Sequence, residues 1–147
     1  MKKIIYLISI IIVSLISTTA FSETTIDLDI ISKIESNGNS KAVSYKGAKY
    51  GRGKYQISEI VLEEWNNYHL NDQYNTEQLF NEEINERIAN WYLHIRIPIM
   101  IAYYGKDVTI KNVLIAYNAG ISYVAYDKSI PNETKNYIEK YNKLLEE

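Results

Sequence analysis

DLDIISKIESNGNSKAVSYKGAKYGRGKYQI, residues 27–57, joins two different local patterns, and the fold is decided at their junction. Between Leu28 and Ser36 apolar residues recur three and four apart, which predicts a first helix. Asp27 or Asp29 can cap or favour its positive end, and Gly38 is available for the left-handed closing residue. From Asn37 to Lys54 that periodicity stops. This stretch holds four of the six glycines and few large apolar side chains, so it reads as a long ordered loop or a short hairpin. Loops of that length often carry function.

Outward from this junction helical spacing dominates, and no segment alternates cleanly for five residues as a half-buried strand would. Ser58 can cap a helix carrying Ile60, Val61, Leu62 and Trp65, with Asn66, Asn67 and Asn71 marking its end. A longer helix from about Thr76 or Asn81 to Ile97 puts Ile84, Ile88, Trp91 and Ile95 on one stripe, and Pro98 must break or restart it. Further helices span about 109–119 and 132–145. No internal repeat or low-complexity linker interrupts the chain. The expectation is a mainly α, single globular domain of about six to seven helices.

The first residues have the order of a secretory signal. Lys2 and Lys3 precede an apolar run from Ile4 to Ile16, and Ala20-Phe21-Ser22 fits the small-x-small cleavage rule, so cleavage is expected after Ser22. The run of 13 residues falls short of the roughly 20 that span a bilayer as a helix. Residues 23–147 then form the folded domain, located in the periplasm or secreted, with 14 basic and 18 acidic residues. An acidic balance gives no global attraction to phosphate backbones, so nucleic acid is not an expected partner. There are no cysteines, and core burial alone must hold a domain of this size.

Glu35 is the leading candidate for chemistry. On the helical wheel it falls at the edge of the apolar face, in the last turn of the first helix. Partial desolvation and the negative end of the helix dipole both favour its protonated form there. A carboxyl group kept protonated near neutrality can act as a general acid. An ordinary solvated glutamate is the alternative. His69 and His94 share no ligand spacing with acids, so no metal or other cofactor is expected. The pairs Glu63-Glu64, Glu82-Glu83 and Glu146-Glu147 read as solvated helix faces.

The words around Glu35 carry a resemblance. Glu35-Ser36-Asn37-Gly38-Asn39, Ala42-Val43-Ser44, Lys46-Gly47-Ala48 and Gly53-Lys54-Tyr55-Gln56-Ile57 resemble the opening motifs of the lytic transglycosylase SLT domain family. Leu79-Phe80-Asn81 with Ile84-Asn85 and Trp91-Tyr92-Leu93 is similar to its middle helix. Ala116-Tyr117-Asn118-Ala119-Gly120 and Glu133-Thr134-Lys135-Asn136-Tyr137 resemble its second and closing signatures, in the family's order.

The resemblance implies a lysozyme-like fold with a glycan groove. It also implies cleavage of the β-1,4 bond between N-acetylmuramic acid and N-acetylglucosamine in peptidoglycan, with a 1,6-anhydromuramic product. Glu35 would be the catalytic acid and then base, and Ser44, Tyr55, Gln56, Tyr117, Asn118, Glu133 and Tyr137 the substrate-binding set. Tyr137 matches a tyrosine that orients the catalytic carboxyl, and Tyr55 stands where many members place a groove methionine. Ser40 replaces a usual proline, and about three extra residues lie between Ala48 and Gly53. A hydrolytic muramidase on the same fold and a non-catalytic peptidoglycan-binding module are the alternatives. The expected partner is the glycan strand, met by a monomer, with wall remodelling, a secretion or conjugation machine, and attack on other cells all open as settings.

Overall fold

The computed structural model describes residues 25–46 and 49–147. The expected signal at residues 1–22, residues 23–24, and Gly47 and Ala48 lie outside that description. Helix α1, Leu28–Ser36, starts at Asp27, whose side chain accepts from the backbone N–H of Asp29 (2.9 Å) and Ile30 (3.2 Å). Of the two candidate caps, Asp27 does the capping. The other end closes on Asn37 at φ 55, with Gly38 following at φ 76. Asn37 takes the left-handed position expected of the glycine, a conformation that its short polar side chain tolerates.

The stretch left open between loop and hairpin is a hairpin. Strands β1 (Val43–Lys46) and β2 (Lys49–Arg52) pair antiparallel, Ser44 opposite Gly51, and β2 pairs with the short β3 (Ile57–Ser58) in a sheet of order β1-β2-β3. Ser58 then caps α2 (Glu59–Tyr68) by accepting from Val61 N–H. A 3-10 turn at Thr76–Phe80 leads into α3 (Glu82–Trp91), which Asn81 caps.

Beyond Trp91 the expected single stripe fails in an informative way. Residues Tyr92–Arg96 form a π-helical turn, with Ile97 N–H bonded to Tyr92 O, and the chain resumes as α4, Ile97–Tyr103. Pro98 sits in the first turn of α4, where its missing N–H costs nothing, so it restarts the helix. The wider turn advances the phase by a residue. Ile88 and Trp91 are therefore buried as predicted, while Ile95 is 50% exposed and Leu93, Ile97 and Ile101 take the core positions.

Helix α5 (Ile110–Asn118), capped by Thr109, buries four consecutive residues, Val113 to Ala116, and so runs through the centre of the domain. Helix α6 (Ile121–Ala125) follows, and α7 (Asn132–Leu145) returns to pack on both α1 and α5. The result is the mainly helical single domain that the sequence leads one to expect, with a small sheet where the sequence left loop and hairpin open.

One buried amide locks the sheet to the helices. Asn85 of α3 is fully buried, accepts from Tyr55 N–H (2.8 Å) and donates to Arg52 O and Leu79 O (both 2.9 Å). Gly53 makes room for it. At φ 76 a Cβ there would lie 2.3 Å from Leu79 O and 2.5 Å from Asn85 Nδ2. Replacing Asn85 with Leu leaves three backbone groups unpaired, so unfolding free energy should fall by about 3 kcal/mol or more in urea titration. An unchanged denaturation midpoint would show that the amide is dispensable.

Candidate active site

A groove of ≈ 980 Å³ runs between the hairpin and α2 on one side and α5 and α7 on the other. Glu35, Ser44, Gln56, Tyr117, Asn118, Glu133 and Tyr137 all line it, so seven of the eight residues singled out in the sequence share one cleft. The eighth is corrected. Tyr55 is fully buried, does not line the groove, and points its hydroxyl at Glu86 Oε2 (3.1 Å). Asn85 holds the Tyr55 backbone inward, and the side chain becomes part of the core.

Glu35 is half-buried at the end of α1. The hydroxyl of Tyr137, itself only 6% exposed, donates to Glu35 Oε1 at 2.8 Å. One turn along α7 the Tyr141 hydroxyl accepts from Asp27 N–H, also at 2.8 Å, so both ends of α1 are tied to one face of α7. Burial, and next the charge of Glu35, push the Tyr137 phenol far above its ordinary range. Tyr117 is raised for the same two causes in the same order. Both phenols therefore stay neutral at any physiological pH, and Tyr137 remains a hydrogen-bond donor to the carboxyl.

The other groove residues are held mainly by the protein itself. Tyr117 donates its hydroxyl to Tyr55 O at 2.6 Å. Asn118 Oδ1 accepts from Thr134 Oγ1 at 2.7 Å, which joins the end of α5 to α7. Gln56 takes a left-handed backbone at φ 51 and donates through Nε2 to Gly53 O (2.8 Å) and Ala42 O (3.2 Å). Its Oε1 is buried with no hydrogen-bond partner among the described residues. Glu133 stands exposed in the first turn of α7, on the groove rim.

Sequence reasoning missed Glu64. The sequence reads it with Glu63 as a solvated face, yet only Glu63 is exposed, while Glu64 lines the groove and accepts from Arg96 Nε at 2.8 Å. The signal available was its place three residues after buried Val61, on the same side of α2. Nothing local points to Arg96, which lies 32 residues away on the π turn. Tyr92, also in the groove, is pushed up to about 12, first by burial and then by the charge of Glu64.

Comparison with known families gives one match: the profile described as Transglycosylase SLT domain covers residues 23–140. Neither the curated proteins nor the solved structures contain a match.

Gly51 shows how little slack the hairpin side of the groove has. A Cβ added there would lie 2.8 Å from Gln56 Oε1, 2.9 Å from Gln56 Cβ and 2.9 Å from Ser44 Oγ. Gly51→Ala should therefore displace both side chains and lower stability by about 1–3 kcal/mol, read as a fall in melting temperature. A variant as stable as the parent would mean that Gln56 and Ser44 can give way freely.

Proposed function

Because the chain belongs to the transglycosylase SLT domain family, whose activity is on peptidoglycan, we propose that it is a lytic transglycosylase with Glu35 as its one catalytic carboxyl. The observation that carries this reading is the half-buried Glu35 carboxyl with the Tyr137 hydroxyl 2.8 Å away inside a groove of ≈ 980 Å³. In the proposed reaction Glu35, protonated, gives its proton to the oxygen leaving the muramic anomeric carbon as the β-1,4 bond to N-acetylglucosamine breaks. The carboxylate then takes the proton of the muramic C6 hydroxyl. That oxygen closes on the same anomeric carbon, yielding the 1,6-anhydro product and returning the carboxyl to its starting state. No water is consumed and no cofactor is called on.

Hydrolysis by the usual two-carboxylate schemes needs a second acid free to act as base or nucleophile. Glu64 is tied to Arg96, which weakens it for that role. Tyr137 serves in this proposal to hold the Glu35 carboxyl in one orientation, a neutral donor doing so without a competing charge. Asn118, Ser44, Gln56 and the rim residue Glu133 are proposed to shape the sugar subsites. Export, with cleavage after Ser22 and work in the periplasm or outside the cell, is part of the same proposal and rests on the Lys2-Lys3 pair, the apolar run from Ile4 to Ile16 and the small-x-small Ala20-Phe21-Ser22.

Product analysis and two variants test the reading. Digestion of purified sacculi should release muropeptides ending in anhydromuramic acid, and Glu35→Gln should reduce their release by about a thousandfold or more. Reducing muramic ends would instead mark a hydrolase, and undiminished release by the variant would mark Glu35 as a bystander. Tyr137→Phe should lower kcat by about tenfold or more with KM nearly unchanged, because the hydroxyl acts on the carboxyl and not on substrate binding. A raised KM at constant kcat would assign Tyr137 to the sugar.

A further inference from the structure

Outside the groove the surface carries an aromatic strip that the proposed chemistry does not use. Tyr103, at the end of α4, is 83% exposed, and its ring meets that of Tyr104 edge-on at 5.3 Å. Tyr104, 40% exposed, meets the ring of Tyr126 at 5.8 Å, and Tyr126, just past α6, is 64% exposed. The Nζ of Lys128 lies 5.7 Å from the Tyr126 ring and 5.6 Å from that of Tyr123, and Tyr123 lines the groove. The strip thus continues the groove outward without a break, Tyr123 to Lys128 to Tyr126 to Tyr104 to Tyr103.

The strip is held in place. An ion pair between Lys106 and Asp127 fastens the segment after α4 to the segment after α6, which keeps Tyr104 beside Tyr126. Asp127 takes a left-handed backbone at φ 49, and Lys128 N–H bonds back to Tyr123 O at 3.1 Å, folding the lysine over the two rings. Lys106 is paired, whereas Lys128 makes no salt bridge among the described residues. Exposed tyrosines have flat apolar faces with a polar tip, suited to the alternating C–H and O–H surface of a pyranose ring. A cation among them suits a saccharide that carries carboxylates.

We propose that Tyr103, Tyr104, Tyr126 and Lys128 form a binding platform for the unreacted continuation of the glycan strand in the groove, with Lys128 meeting carboxylates of its peptide stems. This rests on the reading of the groove as a peptidoglycan site. The platform favours long strands over short ones, because only a strand that overruns the groove reaches it.

The test uses Tyr103→Ser combined with Tyr126→Ser, two exposed positions, with Tyr→Phe at both as the conservative control and thermal melting to confirm folding. In a Glu35→Gln background, which removes turnover, pelleting with purified sacculi should show affinity about tenfold weaker for the Ser pair and parental affinity for the Phe pair. With Glu35 intact, kcat/KM on a peptidoglycan tetrasaccharide should be the same for all three proteins. Lys128→Gln should weaken binding to sacculi and leave binding to chitin, a glycan without carboxylates, unchanged. Parental affinity in the Ser pair overturns the platform, as does a parallel loss of tetrasaccharide turnover, which would place the rings' effect inside the groove. Equal losses on sacculi and chitin remove Lys128 from its role. If the parent protein releases no anhydromuramic product, the proposed reaction fails, while the pelleting assay, which needs no turnover, still decides the platform.

Discussion

The antiparallel pairing of α1 with α7 through two tyrosine hydroxyls is the interaction on which the rest of the site depends. Tyr137 reaches Glu35 at the far end of α1 and Tyr141 reaches the Asp27 N–H at the near end, so the two bonds fix both the height and the direction of the helix that presents the carboxyl. Tyr141 is fully buried and Tyr137 almost so. Their hydroxyls are therefore costly to leave unpaired, and that cost is what makes the register specific. A slide of α1 by one turn would bury two orphaned hydroxyls and remove the acid from its partner.

The opposite wall obeys a second constraint of the same type. Backbone groups of the segment 52–56 have no long strand to pair with, and Asn85, Gln56 and Tyr117 satisfy them with side chains: Asn85 bonds Arg52 O and Tyr55 N–H, Gln56 bonds Gly53 O, and Tyr117 bonds Tyr55 O. Gly53 and Gly51 are the positions where a Cβ would collide with that network. Residues that look from the sequence like sugar contacts are thus in good part struts. A groove whose walls are fixed before substrate arrives loses less to ordering when it binds, which is how rigid support turns into affinity.

Helices and their starts were legible because their causes are local. Ser58, Asn81 and Thr109 each accept from the N–H three residues on, and most of the apolar steps that follow them fall on buried faces, exposed Ile60 being an exception. The hairpin was legible only as one of two options, since glycine-rich spacing does not say whether two short strands find each other. The π turn was not legible. Pro98 announces a disturbance, but where the extra residue is absorbed depends on how Leu93, Ile97 and Ile101 pack, and that is a property of the whole core. The groove members were named through motif resemblance, while the bond between Glu35 and Tyr137 spans 102 residues and has no local signature. Glu64 with Arg96 and the burial of Tyr55 escaped for the same reason.

The 14 tyrosines show why composition alone misleads in both directions. As a total they say little, since a chain rich in Ile, Asn and Lys accumulates them without selection. Placed in the fold they separate by the fate of the hydroxyl. In Tyr137 and Tyr141 it is buried and bonded to α1, and in Tyr117 it is buried and bonded to the hairpin backbone. In Tyr103 and Tyr126 most of the side chain is in solvent. The buried kind contributes by being neutral donors or acceptors, and the nearby Glu35 carboxyl raises the pKa values of two of them still further, so they stay neutral partners beside it. The exposed kind gains nothing from folding, because its apolar area stays in water. Rings left in that condition beside a groove lower their free energy only when something covers them, and under the proposed reading a strand already held in that groove would be the ligand whose ordering cost has been met.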